Sequence, residues 1–382
     1  VRWSATAPAV IGSFWDPPNP LPHAAPGTLI RAEQVIGVPG TPASATLWRI
    51  LYHSRDLSGG DIAVSGYVVV PGGPVPKGGR PIVTWAHGTT GTARICAPSL
   101  FSESSDFGIY LTPDLAGLLS AGYVVAATDY QGLGGPGIHP YLIGNAEGQD
   151  VLDAARAARQ LPHADTSDKV VVLGHSEGGQ AALFAGQLAK TYAPELDVVG
   201  TVAIAPLTEV GLALPLAQQF GETALLASAA WAWAHTYADL PMGAMFSPAA
   251  IATVNRLAST DCESAFSSDL AASAVAAHLF RTGFAQGAAL RRQLAANSPG
   301  AVHTPGPVLI LQGTADTTIP AILAQTFEST QCPKVHDSLE LRLYAGANHG
   351  TILVASAPYM LSWIADRIAG VPSGTGCHVT RG

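Results

Sequence analysis

Val170-Val171-Val172-Leu173 runs directly into Gly174-His175-Ser176-Glu177-Gly178-Gly179, and an alanine-rich helical run follows from Gln180 to Ala189. The G-x-S-x-G pattern alone is weak, because small-residue loops match it by chance. At a turn from strand into helix it gains a mechanical meaning. The serine occupies a sharp, strained turn, so its hydroxyl projects from the strand end. Glycines on both flanks let strand and helix pass closely, and the positive helix end favours an anionic intermediate. The bland alternative is a glycine-rich turn packed for its own sake. The strand-to-helix context favours the elbow.

Outward from this turn, short apolar runs alternate with helical patterns, the signature of a mostly parallel sheet with helices on both faces. Leu47–His53 and Ile62–Val70 come first, and Ser58-Gly59-Gly60-Asp61 between them predicts an antiparallel hairpin. Six further runs are nearly continuous in Val, Ile, Leu and Ala: Ile82–Ala86, Tyr123–Thr128, Val170–Leu173, Val199–Ile204, Val308–Leu311 and Leu339–Tyr344. Strands buried on both faces read this way. Helices are predicted at Pro113–Ala121, Glu147–Leu161, Glu177–Lys190, Ala321–Gln331 and Ala355–Ile368. From Ala205 to Val308 the alternation stops. That interval has no strand pattern and no lysine, and is punctuated by Pro206, Pro241, Pro248 and Pro299. We read residues 208–303 as a helical insertion, and residues 1–207 with 304–382 as the α/β core that carries it.

Composition narrows the classes. With 382 residues, 48% hydrophobic and 12% charged, the chain is neither disordered nor fibrous. Its 19 Lys and Arg against 27 Asp and Glu give a net charge of −8 with no cationic block, which argues against a nucleic-acid partner. Only Lys77, Lys169, Lys190 and Lys334 are lysines, so a polybasic membrane tether is also disfavoured. The longest strongly apolar stretch, Ala224 to Ala234, is shorter than the roughly 18–20 residues of a membrane span. Val1-Arg2-Trp3-Ser4 does not read as a signal peptide, and a mature secreted chain would look the same. Cys96, Cys262, Cys332 and Cys377 show no zinc-knuckle or thioredoxin spacing. They are either four separate buried thiols or two disulfides with three pairings to choose from.

A serine hydroxyl needs a base to remove its proton. In this type of elbow the chain order is serine, acid, histidine. His336, His349 and His378 lie beyond every plausible acid. His336 precedes a strand and so sits at the wrong end of the sheet, and His378 lies in a Gly/Ser-rich tail. His349 follows the strand Leu339–Tyr344 at the same edge as Ser176, and is the choice. Asp316 follows Val308–Leu311 directly and is the acid that would orient the imidazole. Glu209, after the strand ending at Ala205, is the runner-up; Asp337 and Asp269 have no such placement. The oxyanion requires fixed main-chain donors. One is the Glu177 N–H; the second comes from His87-Gly88-Thr89-Thr90-Gly91, through Thr89 or Thr90. His87 lacks partners at ligand spacing and orders this loop. Gly132-Leu133-Gly134-Gly135-Pro136-Gly137 opens into prolines rather than a helix, so it is a turn and not a dinucleotide site. Asp129-Tyr130 reads as loop architecture, and Trp231 with Trp233 as helix packing or a pocket lining.

Ser176, Asp316 and His349 in this order, the Ile95-Cys96-Ala97-Pro98-Ser99 segment, Asp129-Tyr130, and Tyr192-Ala193-Pro194-Glu195-Leu196 before a strand together resemble the secretory lipase family. The resemblance runs from about residue 25 to 380. It implies an α/β-hydrolase fold with a helical cap over the site at the insertion. It implies a secreted serine hydrolase acting on small-molecule or lipid esters, with transient contact to a lipid interface, no cofactor or metal and no obligate protein partner. It also implies pairing Cys96 with Cys262 and Cys332 with Cys377. The departure is Glu177, where the family's yeast representative has glycine: the main-chain donor survives, and a carboxylate beside the oxyanion hole bears on acyl-pocket width. The same triad would serve an acyltransferase passing the acyl group to an alcohol. A catalytically silent binding fold is the competing class, and reaction with a fluorophosphonate separates it from either enzyme.

Overall fold

The apolar runs pair side by side because each buries both faces. In the computed structural model, which describes residues 11–38, 40–101, 112–219, 221–335 and 338–382, ten strands form one sheet. They are β1 (Leu29–Val35), β2 (Thr46–Arg55), β3 (Asp61–Val70), β4 (Arg80–Ala86), β5 (Val124–Thr128), β6 (Thr166–His175), β7 (Asp197–Ile204), β8 (Val308–Gly313), β9 (Ser338–Tyr344) and β10 (Gly376–Arg381). Their order is β1-β2-β3-β5-β4-β6-β7-β8-β9-β10. β1, β2, β3 and β5 pair antiparallel in succession, and every pair from β5 through β10 is parallel. The expected hairpin is present, with Arg55 opposite Asp61. Residues Val1–Ser4, His336 and Asp337 lie outside the described residues.

The helices are α1 (Leu115–Ser120), α2 (Gly144–Ala158), α3 (Glu177–Tyr192), α4 (Val210–Gln219), α5 (Thr223–Thr236), α6 (Met242–Met245), α7 (Ile251–Thr260), α8 (Glu263–Ala272), α9 (Ala288–Ala296), α10 (Ala321–Thr330), α11 (Cys332–Val335) and α12 (Thr351–Ala369). Alternate residues of each central strand go to opposite layers. Val170 and Val172 pack with Val151 of α2 and Ala181 of α3. Val171 and Leu173 pack on the other face, with Leu118 of α1 and Ile364 of α12. Six helices, α4 through α9, separate β7 from β8, where the insertion was expected. Their own cluster contains Trp231, Trp233, Phe246, Leu257 and Phe266, and reaches the core through Tyr141 and Leu323.

Two strands depart from the sequence reading. β1 was not expected, and the tail holding His378 forms β10, parallel to β9 with His378 opposite Glu340. Both are edge strands with little burial. Two disulfides tie down the periphery: Cys96–Cys262, Cα atoms 5.4 Å apart, joins the core to the start of α8. Cys332–Cys377, Cα atoms 6.0 Å apart, pins β10 beside α11. Among the described residues no helix is long and apolar enough to cross a membrane.

Candidate active site

β6 ends at His175, and Ser176 adopts φ 59° and ψ −118° before α3 begins at Glu177. A non-glycine residue held there is strained, and the surrounding glycines make the turn sterically feasible. A Cβ on Gly174 would lie 1.9 Å from the Gly178 carbonyl oxygen, and one on Gly178 would lie 2.0 Å from that of Ala86. The Ser176 N–H donates to Ile204 O at 2.9 Å, anchoring the turn to β7.

Side chains from three strand ends then converge. Ser176 Oγ lies 2.9 Å from His349 Nε2, and His349 Nδ1 lies 2.8 Å from Asp316 Oδ2. Asp316 is buried and accepts three further hydrogen bonds: from the main-chain N–H of Thr318 at 3.0 Å, that of Ile319 at 2.8 Å, and Gln312 Nε2 at 3.2 Å. A carboxylate with four donors is fixed in direction, so it fixes the imidazole as well. The loops after β8 and β9 are laced together by Ala315 N to Ala347 O at 2.9 Å and Thr314 N to Tyr344 O at 3.0 Å. Of the alternatives, Glu209 precedes α4 and borders a separate groove with Arg291. Asp269 is exposed on α8, and His378 is on β10.

The loop after β4 passes against the elbow: a Cβ on Gly88 would lie 3.5 Å from Ser176 Cβ. Thr89 Oγ1 pairs with Tyr141 Oη at 2.8 Å, while Thr90 is buried and its carbonyl accepts from Glu263 N at 2.9 Å. Thr92 Oγ1 donates to Ala258 O at 2.7 Å, so α7 and α8 are fastened to this loop beside the Cys96–Cys262 bridge. His87 is buried against Tyr130, ring centroids 4.5 Å apart, and Tyr130 Oη donates to His87 O at 2.9 Å. Asp129 accepts from Ser65 Oγ at 2.6 Å, from Ser99 N at 2.9 Å and from Ser99 Oγ. Both residues serve loop architecture, as the sequence indicates. The glycine cluster at 132–137 forms turns without opening a helix.

An apolar pocket opens onto Ser176 and Glu177. Leu207, Leu226, Ala229, Ala230, Trp233 and Ile319 wall it, with Glu222 and Thr318 as polar members joined at 2.8 Å. Trp233 both packs and lines the pocket, and its Nε1 donates to Tyr141 O at 3.0 Å. Beneath the elbow, His139, Glu147 and Glu177 are all buried, with potential donor atoms within 4.8 Å of one another. His139 Nε2 lies 3.0 Å from Glu177 Oε1.

The chain's sequence and fold are similar to those of known proteins. The family model described as secretory lipase matches residues 110–376. The chain belongs to the secretory lipase family. A relative named probable inactive lipase, from Mycobacterium tuberculosis, is 29% identical across 52% of this chain and 46% of its own length. Lipase A of Moesziomyces aphidis is 28% identical across 49% of this chain and 41% of its own length. The matched part thus spans under half of each of these two relatives. Lipase 5 of Candida albicans is 24% identical over 96% of this chain and 83% of that protein. Among solved structures, the closed state of Candida antarctica lipase A has a TM-score of 0.83 at 20% identity, covering 99% of this chain and 91% of that one. The rice cell wall degrading esterase LipA from Xanthomonas oryzae has a TM-score of 0.76 at 21% identity, covering 91% of this chain and 100% of that one. These likenesses establish the α/β-hydrolase fold for this secretory lipase family member.

Sequence reasoning missed the residues that support the triad. Gln312, His175 and Tyr141 touch it or its loops, and His139 and Glu147 reach Glu177. Gln312 had a legible position, four residues before Asp316 at the end of β8. The others meet only through tertiary folding.

Proposed function

We propose that the protein is a serine carboxylic-ester hydrolase that works through an acyl-serine intermediate. The observation that carries this reading is the unbroken contact path from Ser176 Oγ through His349 to Asp316, at 2.9 and 2.8 Å. His349 Nε2 takes the serine proton as Oγ attacks the ester carbonyl, and Asp316 stabilises the imidazolium that forms. The oxyanion faces the Glu177 N–H and a main-chain donor from Thr89 or Thr90, preset by the loop contacts described above. His349 then protonates the leaving alkoxide. A water, deprotonated by the same imidazole, cleaves the acyl-serine and regenerates the enzyme.

The apolar pocket beside Ser176 supports an acyl chain as the group bound, and hence a small-molecule or lipid ester as substrate. Residues 208–303 act as a cap on the core of residues 1–207 and 304–382, supplying the pocket wall from α4, α5 and α9. Two disulfides, together with membership of a family named for secretion, support an extracellular location. The test is reaction with a fluorophosphonate followed by turnover of p-nitrophenyl esters of graded chain length. Stoichiometric labelling at Ser176 and ester turnover are expected. An unlabelled serine in the folded protein defeats the reading and leaves a binding role.

A further inference from the structure

His139, Glu147 and Glu177 take no part in the proton transfers assigned above, yet all three are buried together, and Glu177 directly follows Ser176. Their hydrogen bonds constrain where protons sit. His139 Nδ1 lies 3.2 Å from Gln131 O, and a carbonyl only accepts, so Nδ1 carries hydrogen. Nε2, 3.0 Å from Glu177 Oε1, therefore shares a second proton with that carboxyl. Glu147 Oε1 accepts from Leu142 N at 2.7 Å. Among the described residues its buried Oε2 has no hydrogen-bond donor, an expensive arrangement for a carboxylate. Burial, and then the neighbouring Glu177, push Glu147 well above the usual carboxyl range. A protonated Glu147 resolves the orphaned oxygen by donating to Glu177. With two protons shared among three groups, the unit has no net charge.

We propose that Glu147 and His139 are positioning residues for ester hydrolysis, holding the Glu177 side chain in a proton-sharing unit that fixes the Glu177 main-chain N–H on the oxyanion. This rests on the serine-hydrolase reading. Glu177 opens α3 immediately after the strained Ser176, so anchoring its side chain also restrains the peptide between them. Loss of one proton places a negative charge beside the developing oxyanion and opposes it.

The surroundings offer few competing charges. Tyr130 stacks on His139 with centroids 5.7 Å apart, and Tyr141 lies 5.9 Å away. Burial raises both phenols and that of Tyr237, which follows α5 and feels the Glu147 charge, so all three stay neutral. Asp150, one turn along α2, is pushed up to about 7 by burial. The Glu263 charge acts on Tyr141, His87 packs on Tyr130, and Ser176, next to Glu177 in the chain, contacts His349.

The experiment compares kcat and KM of the wild type, Glu147→Gln and Glu147→Ala across pH, with metal content of the purified proteins. Glu147→Gln keeps a donor and cannot ionise. It should hold kcat within about threefold at neutral pH and move the alkaline fall of kcat upward by about a pH unit or more, with KM little changed. Glu147→Ala should lose about tenfold or more in kcat at every pH. An unmoved alkaline limb in a folded Glu147→Gln overturns the proposal. So does one equivalent of a divalent cation whose removal abolishes turnover, which makes the cluster a metal site. If neither variant folds, infrared titration of the wild type decides: a buried protonated carboxyl must persist above the pH at which Asp150 ionises, and its absence overturns the proposal. If the wild type neither hydrolyses esters nor labels with fluorophosphonate, the functional reading fails instead, whatever the infrared result.

Discussion

His175 Nε2 donates to the main-chain oxygen of His349 across 3.0 Å, and the two imidazole rings lie 4.7 Å apart at 40°. Burial, and then the adjacent His349, push His175 down to about 3, so it is neutral at pH values well above that. A neutral ring with its Nε2 hydrogen committed to the His349 carbonyl holds the loop that carries the proposed general base. The residue before Ser176 thus has a definite contact to make.

Replacing His175 with phenylalanine keeps the ring and removes the donor. The lost hydrogen bond should cost about 1 kcal/mol of stability. Because the base then sits less firmly over Ser176 Oγ, kcat should fall about tenfold with KM little changed. Denaturant titration and steady-state kinetics check both numbers. Unchanged kcat would show that the His349 loop is held by other contacts.

The acid assignment is tested by Asp316→Asn against Glu209→Gln. An amide at 316 favours the wrong imidazole tautomer, and turnover should drop by about 10⁴ with the circular dichroism spectrum preserved. Glu209→Gln should stay near wild type, since Glu209 borders the groove away from the triad. The opposite pattern would transfer the acid role.

Much of this was legible in the sequence because the central strands are buried on both faces. Val170–Leu173 and Val308–Leu311 cannot hide their apolar character, and the candidate triad residues Ser176 and Asp316 follow from their ends. β1 and β10 were not legible. Leu29–Val35 includes Arg31, Glu33 and Gln34, and an edge strand with one neighbour needs little apolar surface. β10 is held by Cys377 and by pairing with β9 rather than by its own hydrophobicity. Glu147, Asp150 and Asp153 recur every third residue along α2, a spacing that carries no local signal of burial. All three are buried, because partners distant in sequence come to meet them.

Those buried acids predict an unusual pH dependence. Asp150 accepts from Ser54 Oγ at 2.6 Å and Gln131 N at 2.8 Å, but burial pushes it up to about 7; Asp153 is pushed to about 6. A folded-state value above the unfolded value of about 3.9 means the native state binds more protons in between, so stability falls as pH rises from about 4 to 7. The slope is at most about 1.4 kcal/mol per pH unit for each group. Asp150→Asn keeps an acceptor for Gln131 N and cannot ionise. Urea unfolding should find it more stable than wild type at pH about 8, with the advantage shrinking towards pH about 4. Equal pH slopes in both proteins would remove Asp150 from the account.

Removing Cys332–Cys377 by a double serine substitution should cost about 2–4 kcal/mol. The loss is localised: β10 touches the sheet only through β9, so its amides should exchange first while β6 and β7 remain protected. Removing Cys96–Cys262 should act differently, because that bridge lies beside the proposed oxyanion loop at Thr90 and Gly91. There kcat should fall along with stability. Reversal of these two phenotypes would mean that α8 does not brace the loop.

If the pocket holds the acyl chain, α5 should set the chain-length preference. Leu225, Leu226, Ala229, Ala230 and Trp233 line the pocket at the three- and four-residue spacing of one helical face. Two of these positions are alanines, so the helix leaves width where a bulkier residue would close it. Ala230 is almost fully buried, and enlarging it would strain the cluster containing Trp231 and Phe246. Ala229 is only half-buried and is the better probe. Ala229→Phe should leave the melting temperature within a few degrees and turnover of acetyl and butyryl esters near wild type. It should lower kcat/KM for long-chain esters by about tenfold or more, since about 0.8 kcal/mol of burial is lost for each excluded methylene. Leu226→Ala should shift the ratio the opposite way by lengthening the slot. If neither substitution moves the ratio of short-chain to long-chain kcat/KM, α5 packs against the core without bounding the acyl chain. Specificity would then belong to Leu207, Thr318 and Ile319 on the core side of the pocket.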